Sequence, residues 1–223
     1  MVKNAAGFDL PKLMTGSLGS LGVLVELTFK VFPKPRTFVT VQSSYPCWKE
    51  TLETLYRIYA SPLDLIALDF ELASSGTTLW ARLGGFPEAL ASRTGRLRDL
   101  LGGGETIDGQ AEVALWNKAR EFAWVPAGWS LTKVPITPRR ISLLEASLAG
   151  KTCRLRYSSG GQVAWVSSLG EIDELDKLLS ANGFSGLVIR GPAGRRRLGV
   201  RSGDSFARRV KQALDPSGRF VEI

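Results

Sequence analysis

Gly16, Gly19 and Gly22 recur at a spacing of three and are the residues of this 223-residue chain whose pattern points most directly to chemistry. Without a Cβ, a glycine backbone can lie close to another group. The free N–H groups of such a turn can hold an anion, most often a phosphate. The spacing is not that of the dinucleotide fingerprint, and the Lys-Ser/Thr ending of a P-loop is absent. Two readings stay open: a turn that receives a phosphate or cofactor, or a turn that packs a helix tightly against a strand. A strand pattern follows at once, with Val23, Val25, Leu27, Phe29 and Val31 on one face and Glu26, Thr28 and Lys30 on the other, stopped by Pro33 and Pro35.

The chain contains no histidine. That removes the commonest general base and metal ligand and every Ser-His or Cys-His pair, so proton transfer falls to Asp, Glu, Lys, Tyr or a cofactor. The two cysteines, Cys47 and Cys153, fit no metal-ligand spacing and read as buried free thiols suited to a reducing cytoplasm. Net charge is +8. Residues 1–110 hold 11 basic and 11 acidic side chains, and residues 111–223 hold 18 and 10, so the second half carries the whole excess. Arg195, Arg196, Arg197, Arg201, Arg208, Arg209 and Lys211 form its densest part, read as a solvated basic surface or a face for an acidic partner. No run approaches the roughly 20 apolar residues of a membrane span. No RNA-binding motif surrounds Tyr157 and Trp165, so nucleic acid is not expected as a partner. Arg154, Arg156 and Arg190 are read as strand residues pointing to solvent, with substrate contact as the alternative. Most of the six tryptophans are assigned to core packing; Trp80, Trp124 and Trp129 are candidate interface anchors if exposed.

The elements that must position these groups follow from periodicity. Residues 36–42 predict a strand, 47–60 a helix, and the run through Ile66, Leu68, Phe70 and Leu72 a strand that turns at Ser74-Ser75-Gly76 into a returning one. Residues 87–101 predict a helix ended by three glycines. A second pass gives a helix over 108–123, a strand over 130–135, a helix over 139–148, strands over 152–157 and 162–166, a helix over 171–181 and a strand over 186–190. The order β-α-β-β-α-β is ferredoxin-like, and the expectation is one antiparallel sheet with helices on one face, an α+β architecture. Residues 191–203 read as a mobile loop. A last helix over 203–214 is expected to turn Phe206, Val210 and Leu214 inward and Arg208, Arg209 and Lys211 outward.

The opening segment resembles the flavin-binding domain of the vanillyl-alcohol oxidase type, the FAD-linked oxidases and 2-hydroxy-acid dehydrogenases. The matching residues include Asn4, Gly7, Phe8, Asp9, Leu10, Lys12, Leu13, Gly16, Ser17, Gly19, Leu21, Gly22, Val23 and Leu24. The tail, with Asp215, Pro216, Gly218 and Phe220 after a helix, resembles the family's ending, although Val221-Glu222-Ile223 replaces its Asn-Pro-Gly. Gly160–Trp165 and Gly183–Pro192 are similar to one branch, the FAD-binding subunit of bacterial glycolate oxidase. The resemblance implies a partial flavin-binding (PCMH-type) lobe over residues 1–35, an antiparallel α+β cap domain over 36–203, and a C-terminal helix and tail over 204–223 returning to the lobe. It implies FAD as cofactor, with Gly7, Asp9, Gly16, Ser17, Gly19, Gly22 and Val23 lining a flavin-nucleotide groove. It further implies a small 2-hydroxy acid as substrate, and as partners a catalytic flavin subunit and an iron–sulfur subunit, with any membrane association made through them. The family's N-terminal pyrophosphate loop would precede this segment, so the chain alone is expected to hold FAD weakly or not at all. The alternative is a non-catalytic partner subunit that keeps the fold and binds no flavin alone. The family's metal-binding histidine pair has no counterpart, and no catalytic base or metal ligand is assigned.

Overall fold

A computed structural model of the chain describes residues 9–73, 75–192, 194 and 196–222. Its residues divide into two units: Pro33–Val200, and Met1–Phe32 together with Arg201–Ile223.

In the larger unit, alternating apolar runs build a nine-stranded antiparallel sheet. The strands are β1 (Thr37–Tyr45), β2 (Ala67–Ala73), β3 (Gly76–Gly85), β4 (Glu105–Ile107), β5 (Ser130–Pro135), β6 (Cys153–Ser158), β7 (Val163–Ser168), β8 (Ser185–Arg190) and β9 (Arg197–Gly199), in the spatial order β4-β1-β3-β2-β6-β7-β5-β8-β9. The expected α+β class with an antiparallel sheet is borne out. The first four strands lie in the order 4-1-3-2, and β5 to β8 repeat that arrangement from the other end, so each half is ferredoxin-like. The halves join where β2 meets β6 at Phe70 and Tyr157, whose rings stack at 5.0 Å. Two short strands, β4 and β9, escaped the periodicity argument. Three residues give too short a pattern to read, and β9 lies within the segment read as a mobile loop.

One face of the sheet carries the core. Val41, Leu68, Phe70, Leu79, Ala81, Leu83, Tyr157, Ala164 and Val166 meet Leu55 and Ile58 of α2 (Trp48–Tyr59), Leu90, Leu97 and Leu101 of α3 (Pro87–Leu101), Ile141 and Leu144 of α5 (Ile141–Ser147), and Leu175 and Leu179 of α6 (Ile172–Ala181). Proline at the start of α3 and a left-handed Gly102 at its end set its limits. The opposite face is polar and aromatic, and α4 (Gly109–Arg120) lies over part of it. There Arg82 makes a two-point ion pair with Glu112, Nε to Oε1 at 2.6 Å and Nη2 to Oε2 at 3.0 Å, while Thr40 donates to Glu112 and Trp116 Nε1 donates to Thr40. Helices therefore cover both faces, four on one and α4 on the other.

The smaller unit holds α1 (Leu10–Met14), the glycine turn, and α7 (Asp204–Leu214). The strand expected over residues 23–31 does not form. The segment runs without a strand partner among the described residues, with Val25 95% and Phe32 86% exposed. Alternation is necessary for a strand but a ladder needs a neighbour, and none is supplied here. In α7 three residues depart from the expected faces, among them Leu214, expected inward but 43% exposed. Phe206 is 68% exposed, whereas Lys211 is buried, paired with Asp215 and donating to the carbonyl of Phe220.

Candidate functional site

The polar face of the large sheet gathers its charges by register. Trp80 on β3 stands opposite Asp69 on β2, and Arg156 on β6 stands opposite Trp165 on β7. Arg156 is buried rather than solvated. Its Nε and Nη2 both donate to Asp69 Oδ2 at 3.4 Å, its Nη1 donates to Glu71 at 3.2 Å, and its guanidinium lies 4.9 Å from the Trp80 ring. Burial pushes the Asp69 carboxyl up to about 6, against the pull of Arg156. In a chain without histidine, this carboxyl can take or release a proton near neutral pH.

Around this pair lies a cavity of about 540 Å³. Its aromatic walls come from Phe38, Trp116, Phe122, Trp124 and Trp165; Lys34, Arg82, Arg120 and Asn117 supply polar groups. The chain passes from α4 through Phe122, which adopts a left-handed φ of 54° and sets its ring edge-on to Trp165 at 4.7 Å. Trp124 Nε1 is buried without a hydrogen-bond partner. From sequence, Arg156 carries substrate contact only as an alternative and Trp124 is a candidate interface anchor; the other cavity residues carry no site role, because their neighbourhood depends on sheet register between strands far apart in the chain. The signal available was the outward alternation of Asp69 and Glu71 on an otherwise apolar strand.

The glycine turn lies in the smaller unit. Asp9 caps α1 by accepting from the Lys12 amide at 3.1 Å, and this bond, with the Lys12 side chain, holds its carboxyl below the usual range. Gly16 and Gly19 both have φ of 79°, and a Cβ built at either meets nothing within 4 Å. Among the described residues, no helix packs closely on a strand at these two glycines. The backbone there is left-handed and open, as an approaching group requires. The Ser17 amide is spent on the Met14 carbonyl at 3.1 Å, and the Ser17 carbonyl accepts from the Ser20 amide at 2.9 Å. Gly22 faces the end of the Met14 side chain at 3.8 Å, and Val23 is 74% exposed. Gly7 lies outside the described residues.

Trp80 is buried and donates to Gln42 at 2.7 Å, so it is no interface anchor. Cys47 is exposed and only Cys153 is partly buried, because Cys47 stands at the start of α2 rather than within it. Tyr157 faces the core while Trp165 faces the cavity, so they do not form a shared stacking platform. Among the described residues no cluster of metal-ligating side chains occurs, and no helix is long and apolar enough to cross a membrane.

No family model matches the chain. It is 30% identical over 99% of its length to the glycolate oxidase subunit GlcE of Escherichia coli, of which it spans 58%. Shorter stretches match the glycolate oxidase subunit GlcD of Bacillus subtilis, 34% identical over 70 residues covering 31% of this chain and 15% of that protein. They also match a D-lactate dehydrogenase of Anaerostipes hadrus, 34% identical over 68 residues covering 30% of this chain and 14% of that protein. The chain thus spans less than two thirds of the curated relatives it matches. Its fold matches a solved alkyldihydroxyacetonephosphate synthase with a TM-score of 0.59 at 14% identity, over 97% of this chain and 49% of that one. The resemblance drawn from the two ends of the sequence is borne out: from end to end this chain is similar to a glycolate oxidase subunit, and it has the fold of the corresponding half of an alkyldihydroxyacetonephosphate synthase.

Proposed function

We propose that the chain is an FAD-binding subunit of a glycolate-oxidase-like complex that acts on 2-hydroxy acids. The observation that carries this reading is the open, left-handed turn at Gly16 and Gly19, within a segment whose residue types match flavin-linked oxidases. No described residue occupies the space a Cβ would take there, and that suits a nucleotide lying along the backbone. Gly7, Asp9, Gly16, Ser17, Gly19, Gly22 and Val23 would line it. Asp9 acts by capping α1, and the Ser17 amide, already bonded to Met14, acts by shaping the turn rather than by donating. Bound flavin would supply the acceptor for a hydride from the α-carbon of a hydroxy acid. On this reading residues 33–200 form the cap domain. A catalytic flavin subunit and an iron–sulfur subunit are the partners proposed.

Purified protein incubated with FAD and desalted tests the reading by its visible absorbance, alone and after co-expression with a GlcD-type subunit. Retained flavin that is lost in Gly19→Val supports it. Colourless protein in both preparations would sink it. The second reading, a fold-keeping partner subunit that binds no flavin alone, is favoured by the unpaired apolar segment at Val23–Phe32. It expects a colourless chain that co-purifies with a flavoprotein and whose Gly19→Val variant still does so.

A further inference from the structure

The cavity on the polar face is larger and more aromatic than a two-carbon acid requires. Glycolate has one carbon beyond its carboxylate and would touch few of the walls of a 540 Å³ space. Ligand sites of this size are filled by molecules with a sizeable apolar body, oriented by a few polar groups. Here the body would meet Trp116, Phe122, Trp124 and Trp165. Beside the Asn117 amide, two groups stand ready to orient it. Lys34 lines the cavity and has no carboxylate partner among the described residues, unlike Arg82, Arg120 and Arg156, which are held by Glu112, Glu121, and Asp69 with Glu71. The Trp124 Nε1–H is a buried donor with no acceptor, a condition that costs free energy until something accepts from it. A free cation and an orphan donor in one aromatic chamber describe an acid with an apolar side chain.

We infer that this cavity binds an organic acid bearing an aromatic or bulky apolar side chain, its carboxylate answering Lys34 and an oxygen accepting from Trp124. That the acid is a 2-hydroxy acid rests on the function proposed above. That an apolar acid binds here rests on the cavity alone. The site would then favour a substrate of the phenyllactate kind over glycolate.

Tryptophan fluorescence of the purified chain, titrated with 3-phenyllactate and with glycolate, reads the binding directly without flavin. Phenyllactate is expected to bind at least tenfold more tightly than glycolate. Lys34→Met changes an exposed side chain and is expected to weaken phenyllactate at least fivefold with an unchanged melting temperature. Trp124→Phe keeps the ring, removes the donor and should weaken it severalfold. Equal affinities for the two acids, no saturable response to phenyllactate, or wild-type binding in Lys34→Met would overturn the inference. Flavin retention plays no part in this titration, so a protein that stays colourless both alone and after co-expression with a GlcD-type subunit, yet binds phenyllactate, overturns the proposed function and leaves the acid site standing.

Discussion

At the scale of single residues, Asp69 is the most informative group. Its folded value, about 6, lies above the ordinary carboxylate value of 3.8 because burial disfavours the charge more than Arg156 restores it. The folded protein therefore holds the proton more tightly than the unfolded chain. The group's contribution to stability falls as pH rises from 3.8 through 6 and is level above that. Urea melts of wild type and Asp69→Asn at pH 4, 5, 6 and 7 are expected to show the wild type losing ground to the variant by up to about 3 kcal/mol across that window. Parallel curves would show that the carboxyl titrates normally. The glycines divide in the same residue-level way. A Cβ at Gly199, φ +73°, would stand 2.1 Å from the Phe184 carbonyl oxygen, whereas one at Gly16 or Gly19 meets nothing. Gly199→Ala is expected to cost more than about 3 kcal/mol, since both backbone strain and a backbone clash apply. Gly16→Ala should cost only about 1 kcal/mol, for the left-handed backbone alone. Thermal denaturation separates the two.

At the scale of elements, α4 is tied to the sheet chiefly by polar contacts. Glu112 is 1% exposed and holds Arg82 by two bonds while accepting from Thr40, and Arg82 also lies 4.1 Å from the Phe38 ring. Removing one member of a buried pair leaves the other charge without compensation, so Glu112→Ala is expected to lose about 3–5 kcal/mol. Hydrogen exchange over residues 109–120 should rise more than elsewhere; uniform loss of protection would mean that the pair supports the whole sheet. The C-terminal tail is held by a comparable local device. Asp215 accepts from the amides of Arg219 and Phe220 and pairs with Lys211, and these contacts, the lysine's foremost, hold its carboxyl down to about 2. A depressed acid stabilises above its unfolded value and loses that contribution as pH falls through the folded one. The tail should remain ordered at pH 4 and loosen towards pH 2, followed by exchange of the Arg219 and Phe220 amides. Asp215→Asn should show fast exchange of both already at pH 7.

At the scale of the molecule, the two units differ in what they bury. The larger one has a continuous core and two ferredoxin-like halves joined where β2 meets β6, by the Phe70–Tyr157 stack and the ion pairs of Arg156 with Asp69 and Glu71. The smaller one exposes Val23, Val25, Leu27, Phe29, Val31 and Phe32 in sequence, a stretch of apolar surface of the kind that marks an interaction site or an aggregation hazard. Replacing Val25 and Phe29 together by lysine removes no buried contact. The main thermal transition is therefore expected to move by less than about 0.5 kcal/mol equivalent, while aggregation measured by light scattering falls. A large drop in melting temperature would mean that the segment packs against the protein after all.

Sequence by itself determined the long elements, their ferredoxin-like order, the antiparallel α+β class and the two motif-bearing ends. Each of these is written in local periodicity or in contiguous residue types, and nothing distant has to agree for it to be read. The tertiary structure alone decided whether alternation at residues 23–31 became a strand, because a ladder exists only if another strand supplies its hydrogen bonds. It decided that Lys211 turns inward, because the acceptors that receive it come from the chain beyond its helix. It also decided the cavity, since Asp69, Arg82, Arg156 and Trp165 become neighbours only when strand register places residues up to 96 positions apart on one face.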